Sequence, residues 1–222
     1  MKVGVIQFPG SNCDRDTLHV LKNVLKLDTE LVWHNEFKSN RYDAAVLPGG
    51  FSFGDHLRAG TIAAHSPATK AVVGMVNEEK PVLGICNGFQ ILIEAGLLPG
   101  ALLPNASLKF VCKWIDLRVA SNKNAFSCAL RKNSSIRMPI AHHEGRFFAE
   151  DDTLNQLEAE DRVVMTYMAE NPTGTSRAIA AIANEKGNIV GMMPHPERSS
   201  EPELGGTDGL RIFESMMEWA RC

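Results

Sequence analysis

The chain has 222 residues, 44% of them hydrophobic, with 23 Lys and Arg against 26 Asp and Glu for a formal net charge of −3. A chain of this length buries roughly 70% of its unfolded surface, so a single domain over residues 1–222 is expected, and the mildly acidic balance argues against nucleic acid or an anionic membrane as an obligate partner. Five scattered cysteines do not form a disulfide framework, and an N-terminal apolar run broken by Gln7 and Pro9 is too short for a signal segment or a membrane span, so a cytoplasmic location is expected.

Short apolar runs alternate with amphipathic helical stretches, the pattern of a parallel sheet covered by helices. The first strand is predicted over Lys2 to Phe8. A helix follows from near Asp14, with Leu18, Val20, Leu21, Val24, Leu25 and Leu27 largely on one face. A second strand lies around Glu30 to Trp33, and a third ends at Pro48 in the glycine turn Gly49-Gly50-Phe51-Ser52-Phe53-Gly54-Asp55. Helical sequence from Ala59 to Glu79 is interrupted at Pro67, and a fourth strand, Val82 to Ile85, ends at Cys86. Between about Lys109 and Ile182 polar and apolar residues partly alternate, as in Phe110 to Val119, which predicts antiparallel strands added to the open sheet. The short strand Asn188 to Met193 leads into Pro194-His195-Pro196-Glu197, the segment Arg198 to Gly206 reads as an exposed loop, and a helix from Thr207 to Arg221 closes the chain.

Within this frame Gly84-Ile85-Cys86-Asn87-Gly88 reads as a nucleophile elbow. Strand turns sharply into helix at Cys86, and Gly84 and Gly88 remove side chains that would collide as the two elements close. The free N–H groups at the helix start favour a thiolate and can receive an oxyanion. A lone cysteine in an apolar run is also a common core residue; the flanking glycines favour the nucleophile. His195 lies at the end of its own strand, on the edge where Cys86 emerges, and two prolines stiffen the run His195-Pro196-Glu197. In an extended triplet His195 and Glu197 point the same way, so the carboxylate can hold one imidazole nitrogen while the other faces the thiol. Taken alone, the run is equally compatible with a rigid surface turn. If Gly50 presents its N–H beside that of Asn87, the pair forms an oxyanion hole. The loop Gly49 to Gly54 lacks the spacing of a phosphate-binding fingerprint. His142-His143-Glu144-Gly145-Arg146 suggests a metal site at first sight, but neighbouring strand residues face opposite sides and zinc-ligand spacing is missing, so no metal is expected there.

Leu47-Pro48-Gly49-Gly50, Gly84-Ile85-Cys86-Asn87-Gly88-Phe89-Gln90 and Pro194-His195-Pro196-Glu197, in this order, resemble the class I glutamine amidotransferases. Val5 to Asp14, Gly50 to Asp55 and Ile140 to Arg146 narrow the resemblance to the glutaminase subunits of phosphoribosylformylglycinamidine synthase in their separate-subunit form. The resemblance implies an open, mostly parallel flavodoxin-like sheet with helices on both faces. It implies a triad of Cys86, His195 and Glu197, an oxyanion hole from Gly50 and Asn87, and a role for Gln90 in seating the substrate glutamine. It further implies no cofactor in this chain, ATP and magnesium on a synthetase partner, and a small accessory subunit in the same complex. Residues His142 to Arg146 would then border the glutamine site or the synthetase. The competing readings are a free-standing cysteine amidase or peptidase, an amidotransferase of another pathway, and a docking protein without catalytic activity.

Overall fold

The computed structural model describes residues 1–220. Its strands are β1 (Lys2–Gln7), β2 (Asp28–Trp33), β3 (Ala44–Leu47), β4 (Val82–Ile85), β5 (Ala101–Leu103), β6 (Val111–Val119), β7 (Ser135–His142), β8 (Arg146–Phe148), β9 (Val163–Tyr167), β10 (Ile179–Ala183) and β11 (Ile189–Met192). Nine of them form one sheet in the order β2-β1-β3-β4-β11-β10-β9-β6-β7, and β5 pairs with β8 in a separate ribbon. From β2 to β11 every neighbouring pair is parallel. Beyond β11, strands β10, β9, β6 and β7 pair antiparallel throughout. The expected open sheet with an antiparallel addition in the middle of the chain is therefore what the protein forms.

The two halves are built from different patterns. Strands β3, β4 and β11 are buried at every position, as strands covered on both faces must be. Strand β7 alternates, with Ile136, Met138, Ile140 and His142 inward and Ser135 and Arg137 outward.

Helices α1 (Asp14–His19), α2 (Thr61–Ala64), α3 (Pro67–Asn77), α4 (Asn87–Glu94), α5 (Asp151–Ala159) and α6 (Leu210–Trp219) complete the fold. Three depart from the sequence reading. The first helix continues from α1 as a π turn, Val20–Val24, marked by the Leu25 N–H bond to Val20 O at 2.9 Å. Helix α5 falls inside the segment read as antiparallel strands; Leu154 and Leu157 are its buried residues, a three-residue spacing too brief to register as a period. Helix α6 starts three residues later than expected, after Asp208 accepts from the backbone N–H of Arg137 at 2.7 Å, and Arg221 lies outside the described residues. The break between α2 and α3 falls where expected: Pro67 opens α3, and Ser66 caps it by accepting from Thr69 N.

Helix α4 packs directly on the parallel half. A Cβ at Gly84 would stand 2.6 Å from Gly88 O, and one at Gly88 would run into the Leu47 carbonyl, so both positions need glycine for the helix to sit this close. Phe89 and Ile91 on α4 are fully buried, and Phe89 stacks on Phe147 of β8 at 6.2 Å between ring centroids. This contact ties the small ribbon to the main sheet.

Candidate active site

Register places the site. Met192 of β11 is paired with Ile85 of β4, and Leu47 of β3 with Gly84, so the chain leaves all three strands at one edge. Gly49 and Gly50 follow β3, Cys86 follows β4 and His195 follows β11. The carboxyl ends of parallel strands are where open α/β sheets bind ligands.

Cys86 has φ +49° and ψ −101°, a conformation that non-glycine residues rarely adopt. Its N–H bonds Met192 O at 2.7 Å, which pins the elbow to β11. The Sγ lies 3.8 Å from Ala141 O on β7, a weak thiol contact that leaves it directed at the cavity. Its backbone carbonyl accepts from Phe89 N and Gln90 N, while Asn87 N sits in the first turn, where no intrahelical acceptor exists.

His195 and Glu197 are 2% and 1% exposed, and His195 Nδ1 meets Glu197 Oε1 at 2.6 Å. The expected pairing is therefore present, but the local geometry differs from the extended triplet. His195 is extended at φ −102°, and Pro196–Arg198 form a single 3-10 turn in which Arg198 N bonds His195 O at 3.2 Å. Proline fixes φ near the helical value, so a tight turn is as accessible to it as an extended run. Burial works against charge on the imidazole, but the Glu197 carboxylate, with the thiols of Cys13 and Cys86, outweighs it and holds the His195 pKa well above the usual value. His195 Nε2 is buried without a conventional hydrogen-bond partner, and the Cys13 sulfur lies within 4.8 Å of one of the ring nitrogens.

Gly50 has φ +149° and forms an isolated bridge with Ser11. The bonds that close the bridge belong to Phe51 N and Asn12 N, so Gly50's own N–H is not spent there. Asn87 braces this loop: its Oδ1 accepts from Ser52 N at 3.1 Å, and its Nδ2 donates to Gln90 Oε1 at 2.9 Å. Gln90 Nε2 in turn donates to Glu144 O at 2.7 Å. Gln90, which the resemblance assigned to substrate, thus links α4 to the His142 to Arg146 segment through its Nε2, while its Oε1 is held by Asn87 on the same helix.

These groups surround a cavity of about 150 Å³. That is below the ~300–1,000 Å³ typical of sites for drug-sized ligands and suits an amino-acid-sized molecule. Its wall includes Cys86, Gln90, Gly50 and His195, with His142, His143 and Glu144 opposite. A larger cleft of about 530 Å³ lies between Met1, Leu27, Pro81 and Trp219 and is lined by neither Cys86 nor His195, so volume alone does not locate the candidate site.

A family model for CobB/CobQ-like glutamine amidotransferase domains matches residues 1–220. The chain belongs to this family. Among solved structures the amidotransferase is similar to PurLQS from Thermotoga maritima, with 43% identity, a TM-score of 0.90 and 98% of each chain covered. A GMP synthase component from Thermoplasma acidophilum aligns at 19% identity and TM-score 0.66, over 100% of this chain and 94% of the other. A glutamine amidotransferase from Thermotoga maritima aligns at 16% identity and TM-score 0.61, over 99% and 97%. At these lower identities the likeness is one of fold, that of the class I enzymes.

Three features of the amidotransferase site were not evident from its sequence, although His142 was named there within the segment His142 to Arg146. Asn105 is fully buried and its Nδ2 donates to His142 O and Lys109 O, each at 2.9 Å. Its Oδ1 accepts from Gly145 N at 3.1 Å and faces His142 Nδ1 at 3.2 Å, so Asn105, together with Gln90, holds the cavity wall. Burial, with His195 and His143 nearby, pushes the His142 pKa down to about 3, so this imidazole is neutral. Cys13 and Arg198 form the third feature, with Arg198 Nη2 3.1 Å from Cys13 Sγ beside the His195–Glu197 pair. An asparagine in a loop and a cysteine outside any elbow carry no local signal. Arg198 to Gly206, read as exposed, is instead half anchored: Ser199 and Ser200 are buried and donate to Arg137 O and Pro196 O.

Proposed function

We propose that Cys86, His195 and Glu197 are the catalytic triad of a glutaminase subunit of phosphoribosylformylglycinamidine synthase. The observation that carries this reading is the buried His195–Glu197 pair at 2.6 Å with Nε2 unpartnered at the cavity that Cys86 also lines. An imidazole held on one nitrogen by a carboxylate is placed to take the thiol proton with the other, and the thiolate is the nucleophile. Cys86 Sγ attacks the side-chain amide carbon of glutamine. The resulting oxyanion is received by the N–H groups of Asn87 and Gly50. His195 Nε2 gives its proton to the departing nitrogen, which leaves as ammonia, and a γ-glutamyl thioester remains. His195 then takes a proton from water, which attacks the thioester, releasing glutamate and restoring the thiol. Glu197 holds the imidazole tautomer and offsets its charge through both halves of the cycle. Gln90 seats the substrate by fixing α4 against the Glu144 wall, and His142 to Arg146 close that side of the glutamine site.

The partner in this reading is a synthetase subunit that takes the ammonia, with a small accessory subunit, and converts formylglycinamide ribonucleotide to its amidine in purine biosynthesis. ATP and magnesium serve the synthetase, and this chain supplies no cofactor of its own. The 43% identity to a PurLQS chain over 98% of both lengths supports this assignment over another amidotransferase pathway.

Ammonia release from glutamine, measured with the chain alone and with the synthetase, its nucleotide substrate and ATP, tests the reading. Cys86→Ala should lower turnover by roughly 10⁶-fold, the cost of losing a triad nucleophile, and the partner should raise wild-type release and yield amidine. Cys86-dependent release indifferent to the partner would reassign the pathway. Turnover retained in Cys86→Ala would overturn the mechanism.

A further inference from the structure

The cavity lined by Cys86 and His195 also carries charges that the acyl-transfer steps do not use. Its Asp, Glu, Lys and Arg residues are Asp55, Glu144 and Arg198. Arg198 is engaged at the Cys13 side, with Nη2 3.1 Å from Cys13 Sγ and Nε 3.6 Å from Asp16 Oδ2. Asp55, by contrast, lines the cavity with Oδ1 buried and without a hydrogen-bond partner. A buried acceptor that lacks a donor is costly, and native structures keep few of them.

The loop holds this carboxylate in place. Ser52 N donates to Asn87 Oδ1 at 3.1 Å and Phe53 N to Pro9 O at 2.6 Å, which pins the loop to α4 and to the chain just after β1. Phe53, Gly54 and Asp55 then take left-handed φ values of +54°, +69° and +53° in succession. Only one of the three is glycine, so the backbone is strained where it delivers Asp55, and strain of this kind gathers at ligand sites.

We propose that Asp55, with Glu144 on the same cavity wall, anchors the α-ammonium group of the substrate amino acid and so sets a preference for glutamine over amides that lack it. The proposal rests on the glutaminase reading of the site. In that reading the amide end of glutamine meets Cys86, and the far end carries the ammonium. An ammonium supplies the donor that Asp55 Oδ1 lacks, together with a positive charge for two carboxylates. Burial, and then Glu144, push the Asp55 pKa up to about 6, so the carboxylate's charge is disfavoured until a cation joins it. An amide without the ammonium leaves Oδ1 unpartnered, and discrimination then comes from a buried polar group rather than from shape. Asp55 holds the substrate and takes no part in bond making.

The test separates binding from turnover. Calorimetry on the full chain carrying Cys86→Ser, which lacks the thiol nucleophile, would compare glutamine with glutaramate, the same amide with hydrogen in place of the α-ammonium. Glutamine should bind about tenfold more tightly while Asp55 is present, and adding Asp55→Asn should remove that preference by weakening glutamine alone. In the chain with Cys86 intact, the ratio of kcat/KM values for the two amides should fall by the same factor. Asp55→Asn relieves a buried charge in the free protein, so its unfolding midpoint, measured alongside, should not drop. A preference that survives Asp55→Asn, equal losses for both amides, or no binding of glutamine would overturn the proposal. Asp55-dependent binding of glutamine that the Cys86 chain never hydrolyses would sink the glutaminase reading and leave this one standing, and hydrolysis with unchanged selectivity would do the reverse.

Discussion

The parallel half of the sheet and its antiparallel extension do different work at the same cavity. The parallel half delivers every group in the proposed chemistry: β3 ends in the Gly50 loop, β4 in Cys86 and β11 in His195, three adjacent strand ends. The extension delivers a wall, His142 to Glu144 at the end of β7, held by Asn105 and by Gln90 from α4. Parallel register brings distant residues to one edge for reaction, whereas the added antiparallel strands shape what that edge can admit. Damage to the first half should therefore appear in the chemical step, and damage to the second should appear first in stability.

The sharpest way to break this division is Glu197→Gln. It leaves the fold and the thiol intact but presents the wrong partner to His195, and turnover should fall roughly 10⁴-fold, as expected when the orienting acid of a triad is neutralised. Thermal unfolding and kcat measured side by side decide whether the loss is chemical. Next is Gly50→Ala. A Cβ there would come within 2.8 Å of Asn12 N, Gly10 O and Ser11 Cα, all backbone, at a φ of +149° that strains any side chain. The loop must shift, and removal of one oxyanion donor costs about 10²- to 10³-fold in kcat. A loss confined to KM would place Gly50 in binding instead.

In the extension, Asn105→Ala leaves the Gly145 N–H and two carbonyls without their partner in a buried loop. An unfolding free energy lower by about 3 kcal/mol is expected in urea titrations. An unchanged urea midpoint would mean that the wall does not depend on this side chain. The smallest effect belongs to Asp55, which lines the cavity with Oδ1 buried and unpartnered. Burial, and then Glu144, push its pKa up from 3.8 to about 6. The folded state thus holds a proton that the unfolded chain has released, and stability falls as pH rises from about 4 to about 6. Asp55→Asn should raise the unfolding midpoint at pH 7 and lose that advantage below about pH 4. Equal midpoints at pH 7 would remove the effect.

The same division explains what could be read from the amino-acid order. Buried parallel strands are continuous apolar runs, β3 runs into Pro48-Gly49-Gly50 and β4 ends at Cys86 between Gly84 and Gly88, so Cys86, Gly50 and Asn87 announced themselves locally. The pairing of His195 with Glu197 was legible in residue type but not in geometry, because Pro196 accommodates a 3-10 turn as well as an extended run. Asn105, His142 and Cys13 each make a contact with a partner 37 to 185 positions away. No local period encodes such contacts. The π turn at Val20–Val24 has no sequence explanation that the structure supplies.

The most direct measurement concerns which sulfur carries the acyl group, since two thiols, Cys13 and Cys86, line the same cavity as His195. The wild-type chain would be reacted with a diazoketone analogue of glutamine, digested and mapped by mass spectrometry. Modification on the Cys86 peptide, with Cys13 unmodified, is the predicted result. Modification on Cys13, or none on Cys86 while glutamine is still being hydrolysed, would contradict the assignment of the elbow cysteine as nucleophile.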